Sequence, residues 1–157
     1  MLKPIVVLMA LLAGTTASAT DGMAPGTDAV ARWEADKGTV FEASEIDLGA
    51  FLWIARPVIV FADSPADPAF RQQLDLLEAD LNALAERDVI IITDTAPDMR
   101  SELRTEFRPR GFMLTLVGKD GDVKLRKPFP WHVRELTRSI DKMPLRQQEM
   151  RDSRRNP

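Results

Sequence analysis

The sequence predicts an α/β fold, and a strand–helix–strand unit in its centre is the main reason. Residues 57–62 and 89–93 are short apolar runs rich in β-branched residues, which is typical of strands buried on both faces. Between them, apolar residues recur at spacings of four and three and therefore share one helix face: Phe70, Leu74, Leu77, Leu81 and Leu84. Two buried strands joined by a helical crossover pair in parallel, which is the pattern of the α/β class.

Helix-start signals follow both strands. Asp67 is a predicted N-cap, with Pro68 as the first helical residue. After the second strand, Thr95 is a predicted cap that Asp98 completes as a capping box. The short helix that follows should bury residues spaced four apart: Met99, Leu103 and Phe107.

The C-terminal half of the chain predicts a hairpin and a last helix. Residues 112–117 form a third apolar strand, Asp120-Gly121 is a hairpin turn signal, and residues 123–127 alternate as a half-buried return strand. The last helix should point three apolar residues inward: Val133, Leu136 and Ile140. From Arg146 onward the chain is polar, which predicts a frayed end.

The resulting order, β-α-β-α-β-β-α, predicts a thioredoxin-like three-layer sandwich with right-handed crossovers for the parallel steps. A flavodoxin-like sheet is the alternative. It would need another helix where residues 119–122 predict a tight turn.

The N-terminus has the features of a secretory signal peptide. Lys3 supplies a positive charge, residues 5–13 are almost wholly apolar, and Ala17-Ser18-Ala19 is a cleavage site after Ala19. The apolar run is short for a membrane span. We therefore expect a bacterial protein exported to the periplasm or secreted, with residues 1–19 removed.

The remaining chain divides into three predicted regions. Residues 20–47 are a flexible leader and N-terminal extension, residues 48–150 are the thioredoxin-like domain, and residues 151–157 are a polar tail. Within the extension, residues 40–43 fit an edge strand. A short helix there would carry Val30, Trp33 and Lys37.

Composition excludes several kinds of chemistry. The chain has no cysteine, so it has no disulfide, thiol nucleophile, thiolate metal site or lipid-bearing cysteine. Its formal net charge of −3 argues against nucleic acid or an anionic membrane as the partner of its whole surface. A single histidine cannot build a metal site without carboxylates. We predict no cofactor, no metal site and no catalytic residue.

Several motifs occur together in this chain. They are Phe51-x-Trp53-x-x-Arg56-Pro57-x-x-x-Phe61-Ala62, Arg87-Asp88, Asp120-Gly121 and the closing Ile140-Asp141-x-Met143-Pro144-x-Arg146-Gln147-x-Glu149-Met150. As a set they resemble the family catalogued as domain of unknown function 4174 (P-DUDES), which includes C-terminal domains of animal secreted matrix and sushi-repeat proteins. The resemblance covers roughly residues 48–150 and implies a thioredoxin-like or peroxiredoxin-like fold and export. It leaves biochemical activity open.

In a thioredoxin-like topology, three loops should meet at one end of the sheet and form a contact surface. The candidate residues are Asp63, Ser64, Asp67, Arg108, Arg110, Phe112, Phe129, Trp131 and His132. Asp63 and Asp67 suit acid–base work or a hard cation, and Arg108 and Arg110 suit an anionic ligand.

Simpler structural explanations exist for some of these candidates and for other residues with polar or aromatic side chains. Asp67 caps a helix, and Ser64 is an ordinary turn serine with no visible base. Trp53 is expected in the core. A solvated face of the second helix would carry Arg100, Arg104 and Arg108.

Two functional hypotheses follow. The first is a redox-inactive binding module that contacts an unknown periplasmic protein through this surface. The alternative is a small-ligand or anion-binding protein, or a non-thiol enzyme, that uses Asp63, Arg110 and His132 in one pocket. We predict no nucleic acid partner and no membrane contact after signal cleavage, and the oligomeric state is left open.

Overall fold

A five-stranded mixed sheet forms the centre of the computed structural model, which describes residues 25–156. Its strands are β1 (Val40–Glu42), β2 (Arg56–Phe61), β3 (Val89–Asp94), β4 (Met113–Val117) and β5 (Val123–Lys127). They lie in the order β1-β3-β2-β4-β5, in which β1, β3 and β2 are parallel and β4 and β5 are antiparallel to their neighbours. The predicted α/β, thioredoxin-like fold class is confirmed.

Six helices lie within the described part of the chain. They are α1 (Pro25–Ala35), α2 (Pro68–Glu78), α3 (Leu81–Ala85), α4 (Glu102–Phe107), α5 (Val133–Asp141) and α6 (Pro144–Arg155). Short 3₁₀ turns lie at Ala43–Glu45, Leu48–Phe51 and Pro97–Met99. Among the described residues, no helix combines the length and the apolar character that crossing a membrane requires.

The sheet separates two hydrophobic cores, because alternate strand residues point to opposite faces. On one face, α2, α3 and α5 bury Phe70, Leu77, Leu84, Leu136 and Ile140 against the sheet. On the other face, α1, α4 and the 3₁₀ turn before β2 bury Trp33, Phe51, Leu103 and Phe107. Burial of each of these large side chains contributes roughly 1.5–3 kcal/mol. The result is the predicted three-layer arrangement.

The first crossover begins as predicted but contains two helices instead of one. Asp67 accepts hydrogen bonds from the backbone N–H groups of Ala69 and Phe70 at 2.8 and 3.2 Å, and Pro68 is the first helical residue. Helix α2 ends at Glu78, and Asp80 caps α3 by accepting from the N–H of Ala83. The apolar spacing survives the break: all five predicted residues pack in the same core.

The second helix begins later than we predicted. Pro97 opens a 3₁₀ turn and Arg100 has a φ of 46°, so the backbone between Thr95 and α4 is not α-helical. Ser101, not Thr95, caps α4 by accepting a hydrogen bond from the N–H of Arg104. As a consequence Met99 is 76% exposed and not buried as expected.

The structure differs from the prediction at the N-terminal side of the domain. Helix α1 begins at Pro25, inside the segment for which we expected a flexible leader. The edge strand expected at residues 40–43 is present as β1, which pairs with β3. Trp33 is buried, and its indole N–H donates to the backbone carbonyl of Val89 at 3.2 Å. The extension therefore contributes both a helix and an edge strand to the fold. The predicted signal peptide lies outside the described residues.

Two further predictions are corrected. The chain from Arg146 is not a frayed end, because residues on both sides of it form α6. Trp53 is not in the core: it is 67% exposed, since a positive φ of 64° turns its side chain away from the sheet.

Candidate functional site

The three loops of the predicted contact surface do leave the sheet at the same end. Phe61, at the end of β2, pairs with Met113 at the start of β4. Leu114 pairs in turn with Lys127 at the end of β5. The loops after β2, before β4 and after β5 therefore lie at the same end of the sheet, although their side chains form separate local sites.

In the turn after β2, the polar side chains of Ser64 and Asp67 make local hydrogen bonds that stabilise the turn and the start of α2. The carboxylate of Asp67 is occupied as the α2 cap. The Ser64 hydroxyl oxygen accepts from the N–H of Ala66 at 3.1 Å, which is a turn-stabilising bond and brings no base to the serine. Asp63 is exposed, and its Oδ1 lies 4.0 Å from Nη1 of Arg104. This arrangement provides no nucleophile–base pair.

Beside this turn, Arg104 and Asp94 form a buried ion pair that no sequence pattern indicates. The Arg104 Nε donates to Asp94 Oδ1 at 2.7 Å, and the Arg104 Nη2 donates to the Ala62 carbonyl at 2.6 Å. Ser101 Oγ donates to the other oxygen of Asp94 at 2.5 Å. The pair therefore joins the ends of β2 and β3 to α4, and Arg104 does not lie on the solvated helix face that we predicted.

Arg108 and Arg110 line a shallow cleft of about 260 Å³ on the β4–β5 side of this sheet end. We call it the basic cleft, and its residues are Arg108, Arg110, Phe112, Met113, Arg126, Lys127 and Pro128. Arg108 is placed there by a left-handed backbone, with a φ of 49°, that ends α4. Arg126 is fixed by a hydrogen bond from Nη1 to the Phe107 carbonyl at 3.0 Å.

The four cations of the basic cleft have no acidic partner within 4.0 Å among residues 25–156. Several other arginines and lysines of the described domain are paired with carboxylates, although Arg100, Arg134 and Arg138 are not. Examples of these pairs are Arg56 with Glu149 and Arg87 with Asp141. The basic cleft is therefore a site of uncompensated positive charge.

The loop after β5 contributes unequally to this end of the sheet. Phe129, next to the cleft residue Pro128, is 53% exposed. Trp131 is half-buried: its backbone is held by the Gln73 side chain through bonds of 2.8 and 2.9 Å, and the Lys127 Nζ lies 4.3 Å from its ring centroid. His132 is exposed and lines a different depression, on α5.

Asp63, Arg110 and His132 do not share one cleft. Arg110 belongs to the basic cleft, His132 lies with Arg134 and Arg138, and Asp63 faces Arg104. Within the described part of the chain, no group of three acidic or histidine side chains is placed to hold a metal ion. The geometry gives no support to the enzyme or ligand pocket built from these three residues.

The opposite end of the sheet carries a network of ion pairs, which we call the charge network. Its residues are Lys37, Arg56, Arg87, Asp88, Lys119, Asp141, Arg146 and Glu149. Glu149 of α6 accepts from the fully buried Arg56 at 3.0 Å and lies 2.9 Å from the Lys119 Nζ. Most of the motifs that mark the sequence therefore meet here, far along the strands from the basic cleft.

Three carboxyl groups of the charge network have pKa values below the usual range. Burial raises the pKa of Glu149, but hydrogen bonds from Lys119 and Arg56 outweigh that effect and lower it. The pKa of Asp88 is lowered in the same way, against burial, by Lys119 and Lys37. For Asp141, the hydrogen bonds from Arg87 lower the pKa.

We expect these groups to make the protein acid-sensitive. A depressed folded-state pKa means that the unfolded chain binds more protons in acid, so stability rises with pH across that range. Stability should be constant above about pH 5 and should fall as the pH drops below the usual carboxyl pKa values of 3.8 and 4.5. Urea unfolding between pH 7 and 3 measures this. A midpoint that stays constant down to pH 3 would contradict the assignment.

The fold and the composition define the class: a thioredoxin-like domain that contains no cysteine. A family model described as "Domain of unknown function (DUF4174)" matches residues 47–149, and the chain belongs to that family. Among solved structures, the chain is similar to a reduced 2-Cys peroxiredoxin of Plasmodium vivax. That similarity has a TM-score of 0.54 and 13% identity over 66% of this chain and 85% of that chain, and it concerns the fold alone.

Proposed function

We propose that this chain is an exported, thiol-free binding module that holds an acidic segment of a periplasmic partner protein in the basic cleft. The observation that carries the proposal is the cleft's four cations, which have no acidic partner among the described residues. Export is supported by the charged, apolar and small-residue pattern of residues 1–19.

Charge and shape together indicate the kind of segment that would bind. Arginine forks match the geometry of carboxylates, and Arg126 is already oriented by its bond to the Phe107 carbonyl. Phe112 and Pro128 give the cleft an apolar floor, and the exposed ring of Phe129 lies next in the chain. We therefore expect the partner segment to combine several carboxylates with one apolar side chain.

The module needs no catalytic group for this role. Among the residues described at this end of the sheet, Ser64 and Asp67 are occupied by turn and cap bonds, and Arg104 is held by Asp94. The remaining polar groups at the surface of the basic cleft are positive. Binding of a negatively charged chain is what this arrangement supports best.

Charge reversal in the basic cleft should abolish most of this binding. We expect the double variant Arg110→Glu with Arg126→Glu to bind a fluorescein-labelled peptide of glutamates around one phenylalanine at least about tenfold more weakly than the original protein. Fluorescence anisotropy at low and at moderate salt measures the affinity. Because the interaction is electrostatic, the original affinity should also fall as salt rises.

The matched control is Arg134→Glu with Arg138→Glu, which reverses the same number of charges in the separate depression on α5. The control should retain most of the affinity. Equal loss in both double variants would mean that the peptide responds to net charge alone. Unchanged binding by a folded Arg110→Glu, Arg126→Glu protein would remove the basic cleft from the proposal.

A further inference from the structure

A second surface lies at the other end of the sheet, around the loop that leads into β2. Three consecutive apolar side chains are exposed there: Leu52 by 45%, Trp53 by 67% and Ile54 by 36%. The residues on either side, Phe51 and Ala55, are buried. The chain thus anchors the two ends of this loop in the core while it holds the three side chains between them in solvent. We call residues 52–54 the Trp53 loop.

The backbone of the Trp53 loop is fixed in a strained conformation. Trp53 has a φ of 64°, in the left-handed region that residues with a Cβ rarely adopt. The backbone N–H of Trp53 donates to the backbone carbonyl of Lys119 at 2.7 Å. The backbone N–H groups of Ile54 and Ala55 both donate to the Phe51 carbonyl. These bonds hold the backbone of the loop in this conformation, in which the Trp53 side chain is exposed. Strain of this kind, together with an exposed tryptophan, is typical of a binding site.

The Trp53 loop continues into an apolar cleft of about 210 Å³. Leu52 belongs to both, and the other lining residues include Leu48, Phe51, Pro57 and Val117. Gly121, at the hairpin tip, lines the cleft with a φ of 84°, a conformation that favours glycine, and a Cβ there would lie 2.9 Å from the Leu52 Cδ2. The loop and the cleft therefore form one continuous apolar surface.

The charged side chains around this surface indicate the kind of partner that it would bind. Glu106 is the single charged residue that lines the apolar cleft, and among residues 25–156 it has no basic partner within 4.0 Å. At the hairpin tip next to Leu52, the carboxylates of Asp120 and Asp122 lie 2.6 and 3.7 Å from the Lys124 Nζ, so the uncompensated negative charge of this surface lies at Glu106. An unpaired carboxylate beside an apolar cleft favours a cationic group over an anionic one.

We propose that the Trp53 loop and the apolar cleft bind a segment of a partner protein in which a large apolar side chain stands next to a lysine or arginine. The apolar side chain would enter the cleft and pack against the Trp53 ring. The cation would pair with Glu106. The Trp53 loop lies at the opposite end of the strands from the basic cleft, and the charged residue that lines the apolar cleft is negative instead of positive.

The test uses two short acetylated peptides that differ in one position: leucine–lysine–leucine or leucine–glutamate–leucine within a glycine–serine background. Titration into ¹⁵N-labelled protein should move the NMR signals of the Trp53 loop and of Gly121 with the lysine peptide, and affinity for the glutamate peptide should be about fivefold lower. Glu106→Lys should reverse that order. Trp53→Ser should lower the affinity for both peptides about fivefold or more.

Glu106 is an exposed helix residue, so Glu106→Lys should fold even if Trp53→Ser does not. Several results would overturn the proposal. They are equal affinity for the two peptides, a preference that Glu106→Lys leaves unchanged, self-association of the protein that Trp53→Ser abolishes, and a Trp53-dependent fluorescence shift on phosphatidylglycerol vesicles. The last two would assign the surface to a second copy of the chain or to a membrane.

Discussion

Replacing Arg104 by methionine should lower the free energy of unfolding by about 3–5 kcal/mol, which is the usual cost of removing one partner of a buried ion pair. The Arg104 side chain is only 9% exposed and that of Asp94 only 3%. Without the guanidinium, Asp94 would keep the hydroxyl of Ser101 but would lose its counter-ion. The Ala62 carbonyl would lose a donor as well. Guanidinium chloride unfolding, followed by circular dichroism, measures the change.

A neighbouring arginine supplies the control for this prediction. Arg100 is exposed and makes no ion pair within the described part of the chain, so Arg100→Met should change stability by less than about 0.5 kcal/mol. The double variant Asp94→Ala with Arg104→Met should recover part of the loss, since no uncompensated charge remains. A cost below about 1 kcal/mol for Arg104→Met would show that Asp94 does not depend on its partner.

Replacing Glu149 by glutamine should destabilise the protein by about 2–3 kcal/mol and loosen α6. Glu149 neutralises Arg56, whose side chain is 1% exposed, and Lys119, whose side chain is 11% exposed. No residue of α6 is fully buried, and its apolar residues Leu145 and Met150 are only half-buried, so packing contributes little to holding it in place. Its attachment to the domain instead rests on ion pairs and hydrogen bonds such as those of Glu149 and Gln147.

Hydrogen exchange separates this effect from a general loss of stability. Amides of α6 should exchange faster in Glu149→Gln at denaturant-free conditions, whereas amides of β2 and β3 should stay protected. Glu135→Gln is the matched control, because Glu135 is an exposed α5 residue without an ion pair among the described residues. If α6 exchanges equally in both variants, Glu149 is not what holds it.

The fold could be predicted from the sequence because its strongest signals are local. The apolar spacing from Phe70 to Leu84 holds even though the helix breaks at Asp80, since both helices bury the same face. The Asp67–Pro68 start was also predictable, because the cap bonds span only two and three residues. Prediction from the spacing of apolar residues fails where the backbone leaves the helical or extended conformation. At Arg100 and Trp53, positive φ values redirect the chain in ways that no spacing pattern indicates.

The charged sites were harder to predict because their partners are distant in sequence. Arg104 fitted a four-residue stripe with Arg100 and Arg108, but its partner Asp94 lies on another element. Arg56 and Glu149 are 93 residues apart, so their contact depends on the whole topology. Arg108 and Arg110 were expected to lie at the same site because they are close in sequence. The contribution of Arg126 to the same cleft follows only from the β4–β5 hairpin.

The carboxylate at the start of α2 has a chemical consequence. In thioredoxin-like enzymes, backbone amides at this helix start stabilise a sulfur anion and make it reactive at neutral pH. Here Asp67 already occupies two of those amides and places a negative charge beside them. A cysteine introduced at residue 64 would meet a helix start that is already neutralised, so a single substitution would not restore a reactive thiolate. The absence of cysteine from this chain is therefore matched by a helix start whose electrostatics do not favour a thiolate.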